Sequence, residues 1–130
     1  MKTLLIVDDD ANHRLLYEKE LTNDSYRVLL ADGGRMGVKI AEKEDVDLVI
    51  LDIEMPGMDG IEALGRILAT NNTLPVIINT SYPRYEDNFM TWAADAYIVK
   101  SSNLSELKSK IYEILSGGLK GAAFALEKSV

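Results

Sequence analysis

The sequence predicts an α/β protein: a doubly wound, five-stranded parallel sheet of order 2-1-3-4-5 with helices on both faces. Three observations predict it. Short apolar runs alternate with helix-patterned segments five times along the chain, and such βα repetition folds as a parallel sheet with right-handed crossovers. Two of those runs, Leu4-Leu5-Ile6-Val7 and Leu48-Val49-Ile50-Leu51, are apolar at every residue, as strands buried on both faces are. Both end in acid, at Asp8-Asp9-Asp10 and at Asp52. Open α/β sheets bind ligands at the carboxyl ends of their strands, where the strand order reverses. The order 2-1-3-4-5 places the first and third strands side by side at that point, so Asp8, Asp9 and Asp52 share one pocket.

The first strand spans 3–8 and the first helix 12–22, with Asp10 the natural N-cap. The second strand, 26–31, carries Arg27 and is the least uniformly apolar, which suits a sheet edge. The second helix, 34–43, is weakened by Gly37, a residue that costs about 1 kcal/mol against alanine within a helix. The third strand spans 47–52. Pro56-Gly57 then enforces a turn, and Asp59 caps a third helix, 60–69, with Ile61, Leu64, Ile67 and Leu68 on one face. The fourth strand and helix fall at 75–79 and 84–93. The fifth pair falls at 96–99 and 104–115, with Leu104, Leu107, Ile111 and Leu115 at helical spacing. Gly117-Gly118 reads as a helix stop, leaving 1–117 as the domain and 118–130 as a short extension or tail. Tyr82, Tyr85, Phe89 and Trp92 share one helix face, expected to pack on the sheet.

The 130 residues suffice for one domain with a real core, and 47% hydrophobic with 27% charged residues fits a globular chain. The absence of cysteine excludes disulfides and thiolate metal sites, and an intracellular, cytoplasmic location is expected. A net charge of −7 argues against direct nucleic-acid binding. The apolar start is too short for a signal peptide, and no stretch approaches the roughly 20 apolar residues of a membrane span.

Three carboxylates in one pocket repel. A pair at about 4 Å costs about 4 kcal/mol at an effective dielectric of about 20. A hard divalent cation relieves this, and Mg²⁺ is held by one or two carboxylates with waters and phosphate oxygens. On this reasoning removal of an acid raises the stability of the metal-free protein by roughly 1–4 kcal/mol. Thr80 and Lys100 follow the fourth and fifth strands, so a hydroxyl and an ammonium reach the same rim. The set suits phosphoryl transfer to the Asp52 carboxylate, with Mg²⁺ and Lys100 neutralising the oxygens. His13, the single histidine, lies among polar residues of the first helix and reads as a surface or capping residue.

In order and spacing, four segments resemble the receiver domain of two-component response regulators. They are Ile6-Val7-Asp8-Asp9-Asp10, the stretch from Leu51-Asp52-Ile53-Glu54 to Met58-Asp59-Gly60, Pro75-Val76-Ile77-Ile78-Asn79-Thr80, and Ala94-Asp95-Ala96-Tyr97-Ile98-Val99-Lys100. The resemblance implies a phosphoacceptor signalling domain, not an enzyme acting on a separate substrate, although receivers catalyse their own phosphorylation and dephosphorylation. It makes Asp52 the phosphoacceptor. Asp8, Asp9, Asp52 and the Glu54 backbone carbonyl become the Mg²⁺ site, Lys100 the phosphoryl-contacting cation, and Thr80 and Tyr97 the switch pair. It implies a sensor histidine kinase or histidine phosphotransfer protein upstream. Downstream it implies a protein partner on the surface of the fourth helix, fifth strand and fifth helix. The chain departs from the family at Ser101, where proline follows the lysine, often in a cis bond, and at Ala93, where glycine is common. A haloacid-dehalogenase-like phosphatase would want a second aspartate where Glu54 stands. A flavodoxin-like binder would want a Ser/Thr/Gly loop in place of Asp8-Asp9-Asp10. A pseudo-receiver acting only as an interaction module would not need so complete a site.

Overall fold

The computed structural model describes residues 1–55, 60–81 and 92–117. Five strands, β1 (Thr3–Val7), β2 (Arg27–Ala31), β3 (Leu48–Leu51), β4 (Val76–Thr80) and β5 (Ala96–Val99), form one sheet of order β2-β1-β3-β4-β5. Every neighbouring pair is parallel. This is the predicted order, with Arg27 on the edge strand. The described helices are α1 (Ala11–Asn23), α2 (Gly34–Lys43), α3 (Gly60–Thr70) and α4 (Ser105–Gly117), the last being the helix that the sequence places fifth.

Alternation along the strands divides the core into two layers. Leu5, Val7, Val49, Leu51, Val76 and Ile78 pack with Val38 of α2 and Ala63, Leu64 and Ile67 of α3. Leu4, Ile6, Leu48, Ile50 and Ile77 pack with Tyr17 and Leu21 of α1 and Leu107 and Ile111 of α4. The uniformly apolar runs are thus explained: each strand feeds two cores at once.

Element limits differ from expectation by one or two residues. Thr80 closes β4 rather than following it, because the Lys100 N–H bonds the Thr80 carbonyl at 2.7 Å and carries the β4–β5 ladder one step further. The turn at Pro56-Gly57, the Asp59 cap, Tyr82, Tyr85 and Phe89, most of the 84–93 helix, Gly118 and the 118–130 extension lie outside the described residues. Trp92 is described and is 62% exposed, so the packed-face expectation fails for it. It lies shortly before β5, which is an edge strand among the described residues.

Gly37 supplies a physical reason for a weak helix former. A Cβ there would stand 2.8 Å from one Val7 methyl and 3.0 Å from the other, and Val7 is fully packed. The glycine lets α2 lie close on β1. Gly37→Ala recovers about 1 kcal/mol of helix propensity but incurs roughly 1–3 kcal/mol of overpacking. A net loss of about 1 kcal/mol is expected, measured as a lower urea midpoint.

Among the described residues no helix is long and apolar enough to cross a membrane.

Candidate functional site

The register of the two central strands sets the site. Val7 is paired with Leu51, so Asp8 and Asp52 leave the sheet at the same level. The Asp52 N–H bonds the Val7 carbonyl at 2.9 Å and the Asp8 N–H bonds the Ala31 carbonyl at 3.1 Å, extending the ladders to the acids themselves. Both acids are buried, Asp8 being 2% and Asp52 6% exposed.

Each carboxylate is aimed by its own loop. Asp8 Oδ1 accepts the Asp10 N–H at 2.9 Å, and Arg14 Nη1 donates to the Asp8 carbonyl at 2.7 Å. Asp10 caps α1 as predicted, its Oδ1 accepting the N–H groups of Asn12 at 2.8 Å and His13 at 3.2 Å. The His13 N–H bond is the main reason that the Asp10 carboxyl lies below its usual range. Asp52 Oδ1 accepts the Glu54 N–H at 3.0 Å.

Gly60, the first residue of α3, lies directly against this strand end. Its N–H bonds the Ile53 carbonyl at 3.2 Å. A Cβ there would collide with the Ile53 Cα and the Asp52 carbonyl oxygen, both backbone atoms. Neither can rotate away. Gly60→Ala is therefore expected to cost about 3 kcal/mol, the upper part of the overpacking range, and to shift Asp52 amide resonances more than Gly37→Ala does.

Lys100 closes the pocket from β5. Its Nζ lies 2.8 Å from Asp8 Oδ2, 2.9 Å from Asp52 Oδ2 and 2.9 Å from His13 Nδ1. Its side chain is 9% exposed. Burial, the largest single influence, works against the ammonium. The hydrogen bonds from Asp8 and Asp52, with their charges, outweigh it and hold Lys100 above the ordinary lysine range. This corrects the electrostatic expectation: the acids do not simply repel one another, because the ammonium bridges the two buried ones.

The remaining predicted residues fall as follows. Asp9 is exposed at the pocket rim. Asp8, Asp9 and Asp52 each offer a carboxylate oxygen, and these lie within 4.8 Å of one another. An all-oxygen donor set of this kind, two members buried and one open to water, fits Mg²⁺. Glu54 is half-buried, its N–H committed to Asp52. Thr80 is fully buried. Ile78 of β4 stands opposite Tyr97 of β5, and Thr80 opposite Val99. Alternation puts Ile78, Thr80 and Tyr97 on one sheet face, with Tyr97 half-buried against the Leu5–Leu51 layer. The Lys100–Ser101 bond is trans, no cis peptide being present among the described residues.

His13 is partly exposed, as a surface residue of the first helix should be, but it makes a contact that sequence reasoning missed. It lies in the first turn of α1, but its ring turns into the pocket and meets Lys100. One signal was available: position 13 lies three residues after the Asp10 cap, and a helix starting there carries its first turn past the strand ends.

Comparison with known proteins agrees with this geometry. The chain belongs to the response regulator receiver domain family, whose model matches residues 4–112. It is 34% identical over 116 residues to the response regulator ArlR of Staphylococcus haemolyticus, a match covering 88% of this chain and 53% of that protein. The chain thus spans about half the length of the curated relatives it matches there. Among solved structures it is similar to the response regulator TrrA of Thermotoga maritima in complex with Mg²⁺ and BeF, at 41% identity and a TM-score of 0.85, covering 88% of this chain and 99% of that one. It is similar at 42% identity and a TM-score of 0.83 to TrrA in complex with the histidine kinase ThkA, again over 88% and 99% of the two chains. Receiver membership displaces the phosphatase and flavodoxin-like alternatives.

Proposed function

We propose that residues 1–117 accept a phosphoryl group on Asp52 in an Mg²⁺-dependent reaction and convert it into a change of protein-binding surface. The observation that carries this reading is the convergence of Asp8, Asp9 and Asp52 within 4.8 Å, with Lys100 Nζ at 2.9 Å from Asp52. An Asp52 oxygen attacks phosphorus, the new P–O bond forms, and the bond to the donor's leaving group breaks with its electron pair leaving on the donor. Asp8, Asp9, Asp52 and the Glu54 carbonyl would hold Mg²⁺, which neutralises phosphoryl oxygens. Lys100 supplies a second positive charge, already ordered at the acceptor.

Thr80 and Tyr97 form the switch. The Thr80 hydroxyl bonds the phosphoryl oxygens, and its movement on their shared sheet face lets Tyr97 repack, biasing the surface of β5 and α4. The TrrA–ThkA complex supports a histidine kinase, or a histidine phosphotransfer protein, as donor. A protein partner reads the altered surface, and a net charge of −7 disfavours nucleic acid in that role. A cytoplasmic location suits this chemistry.

The test is treatment with a small acyl phosphate, with and without Mg²⁺, followed by peptide mapping of the modified residue. Modification on Asp52 that requires Mg²⁺ is expected; a modified residue elsewhere would sink the proposal. For the switch, Thr80→Ala is expected to take beryllofluoride at Asp52 yet show reduced amide shifts around Tyr97 and along α4. A wild-type shift pattern in that variant would show that the hydroxyl does not transmit the signal.

A further inference from the structure

An ammonium has three N–H donors and no acceptor. At Lys100 all three directions have partners: Asp8 Oδ2 at 2.8 Å, Asp52 Oδ2 at 2.9 Å and His13 Nδ1 at 2.9 Å. Lys100 must donate to His13, so Nδ1 carries a lone pair and the ring proton sits on Nε2. That nitrogen faces Asp10 Oδ2 at 3.9 Å, where a carboxylate favours the proton. His13 Nδ1 also lies 3.4 Å from Asp8 Oδ2, so both atoms stand around the one ammonium.

The imidazole is itself held. Its backbone N–H is one of the two capped by Asp10. Its ring lies against Tyr17, with ring centroids 6.2 Å apart. Tyr17 is buried, and its hydroxyl accepts a hydrogen bond from Asn79 Nδ2 of β4 at 3.0 Å. His13 is therefore fixed from α1 and, through Tyr17, from β4, while its own side chain remains 37% exposed. A well-buttressed neutral acceptor aimed at the only cation on Asp52 among the described residues has no evident part in core packing.

We infer that His13 is a positioning residue for phosphoryl transfer, acting through Lys100. It accepts a hydrogen bond from the ammonium N–H that the two carboxylates leave free, and so fixes Nζ in the place where developing phosphoryl charge is met. Without it, Lys100 retains both acids but gains rotational freedom, and its third N–H turns to water. The inference rests on the assignment of Asp52 as phosphoacceptor and adds a residue that acts upon it from α1.

The test compares wild type, His13→Leu, His13→Asn and Asp52→Asn under acyl phosphate with Mg²⁺, by intact mass over time. Leucine fills the space without an acceptor; asparagine places Oδ1 near the position of Nδ1. His13→Leu is expected to label on the order of tenfold more slowly, the scale of one hydrogen bond to a charged group, and His13→Asn to recover most of the rate. The ¹⁵N signal of the Lys100 ammonium, ordered in wild type, is expected to broaden in His13→Leu and return in His13→Asn. Labelling of His13→Leu at the wild-type rate, or an asparagine variant as slow as the leucine one, overturns the inference. Both outcomes leave the phosphoacceptor assignment standing, whereas undiminished labelling of Asp52→Asn removes that assignment and with it the inference.

Discussion

Asp52→Asn is expected to abolish Mg²⁺-dependent labelling while leaving the fold intact. Asparagine offers no nucleophilic oxygen and cannot form the acyl phosphate, so loss at this position should be complete rather than partial. Its Oδ1 can still accept the Glu54 N–H now bonded at 3.0 Å, and the strand ladder through the Asp52 N–H is backbone only. Two electrostatic effects then oppose. The substitution removes one negative charge from a group of three carboxylates, which favours the variant. It also removes one of the two acids on Lys100, which favours wild type. These nearly cancel, and a stability change within about 1 kcal/mol in chelator is expected. That is smaller than the gain carboxylate repulsion alone predicts, because the ammonium already relieves much of it. Intact mass and a urea titration on the same preparation check both halves.

Lys100→Met is expected to be the most damaging change to the charged groups of the site in the absence of metal. It leaves Asp8 and Asp52, 2% and 6% exposed, facing each other without the cation that bridges them. Breaking a buried pair by removing one partner costs roughly 3–5 kcal/mol; the exposed Asp9 edge admits some water, so about 3 kcal/mol is expected. Millimolar Mg²⁺ should return part of this by mass action, since a divalent cation on the same carboxylates replaces the missing charge. The variant should therefore show a larger Mg²⁺-induced rise in Tm than wild type. The pH dependence follows from the raised Lys100 pKa. Ammonium binding in the folded state contributes fully below the unfolded lysine value, near 10.5, and is lost as pH climbs through the higher folded value. The gap between wild type and Lys100→Met should hold from neutrality toward pH ~10 and narrow above it. Equal stability of the two proteins at pH 7 in chelator would show that the bridge contributes nothing.

Much of this molecule was written in local patterns. The runs Leu4-Leu5-Ile6-Val7 and Leu48-Val49-Ile50-Leu51 announce strands covered on both faces, and each is followed by the acids that the register then sets level. Arg27 marked an edge strand, and Asp10 marked a cap. Each is a signal contained within a few residues, where composition and spacing suffice. Thr80 and Lys100 were legible for the same reason: a residue that closes a parallel strand lies at the carboxyl rim wherever the strand sits in the sheet.

Other features depended on distance in the sequence. Gly37 reads as a flaw in a helix until Val7, thirty residues earlier, is seen against it. Gly60 likewise gains its meaning from the Asp52–Ile53 backbone. The sign of the site's electrostatics was set by Lys100 reaching two acids at once, which no count of carboxylates reveals. His13 is the sharpest case, since 87 residues separate it from Lys100. By itself the sequence determined the strands and the residues at the rim, because periodicity and strand ends are local. The order 2-1-3-4-5 was favoured by the shared chemistry of the acids and established by the pairing of the strands. Only the tertiary structure decided which side chains meet on the Lys100 ammonium and which glycines must stay bare. Those depend on angstrom-scale approach between elements, set by packing of the whole sheet.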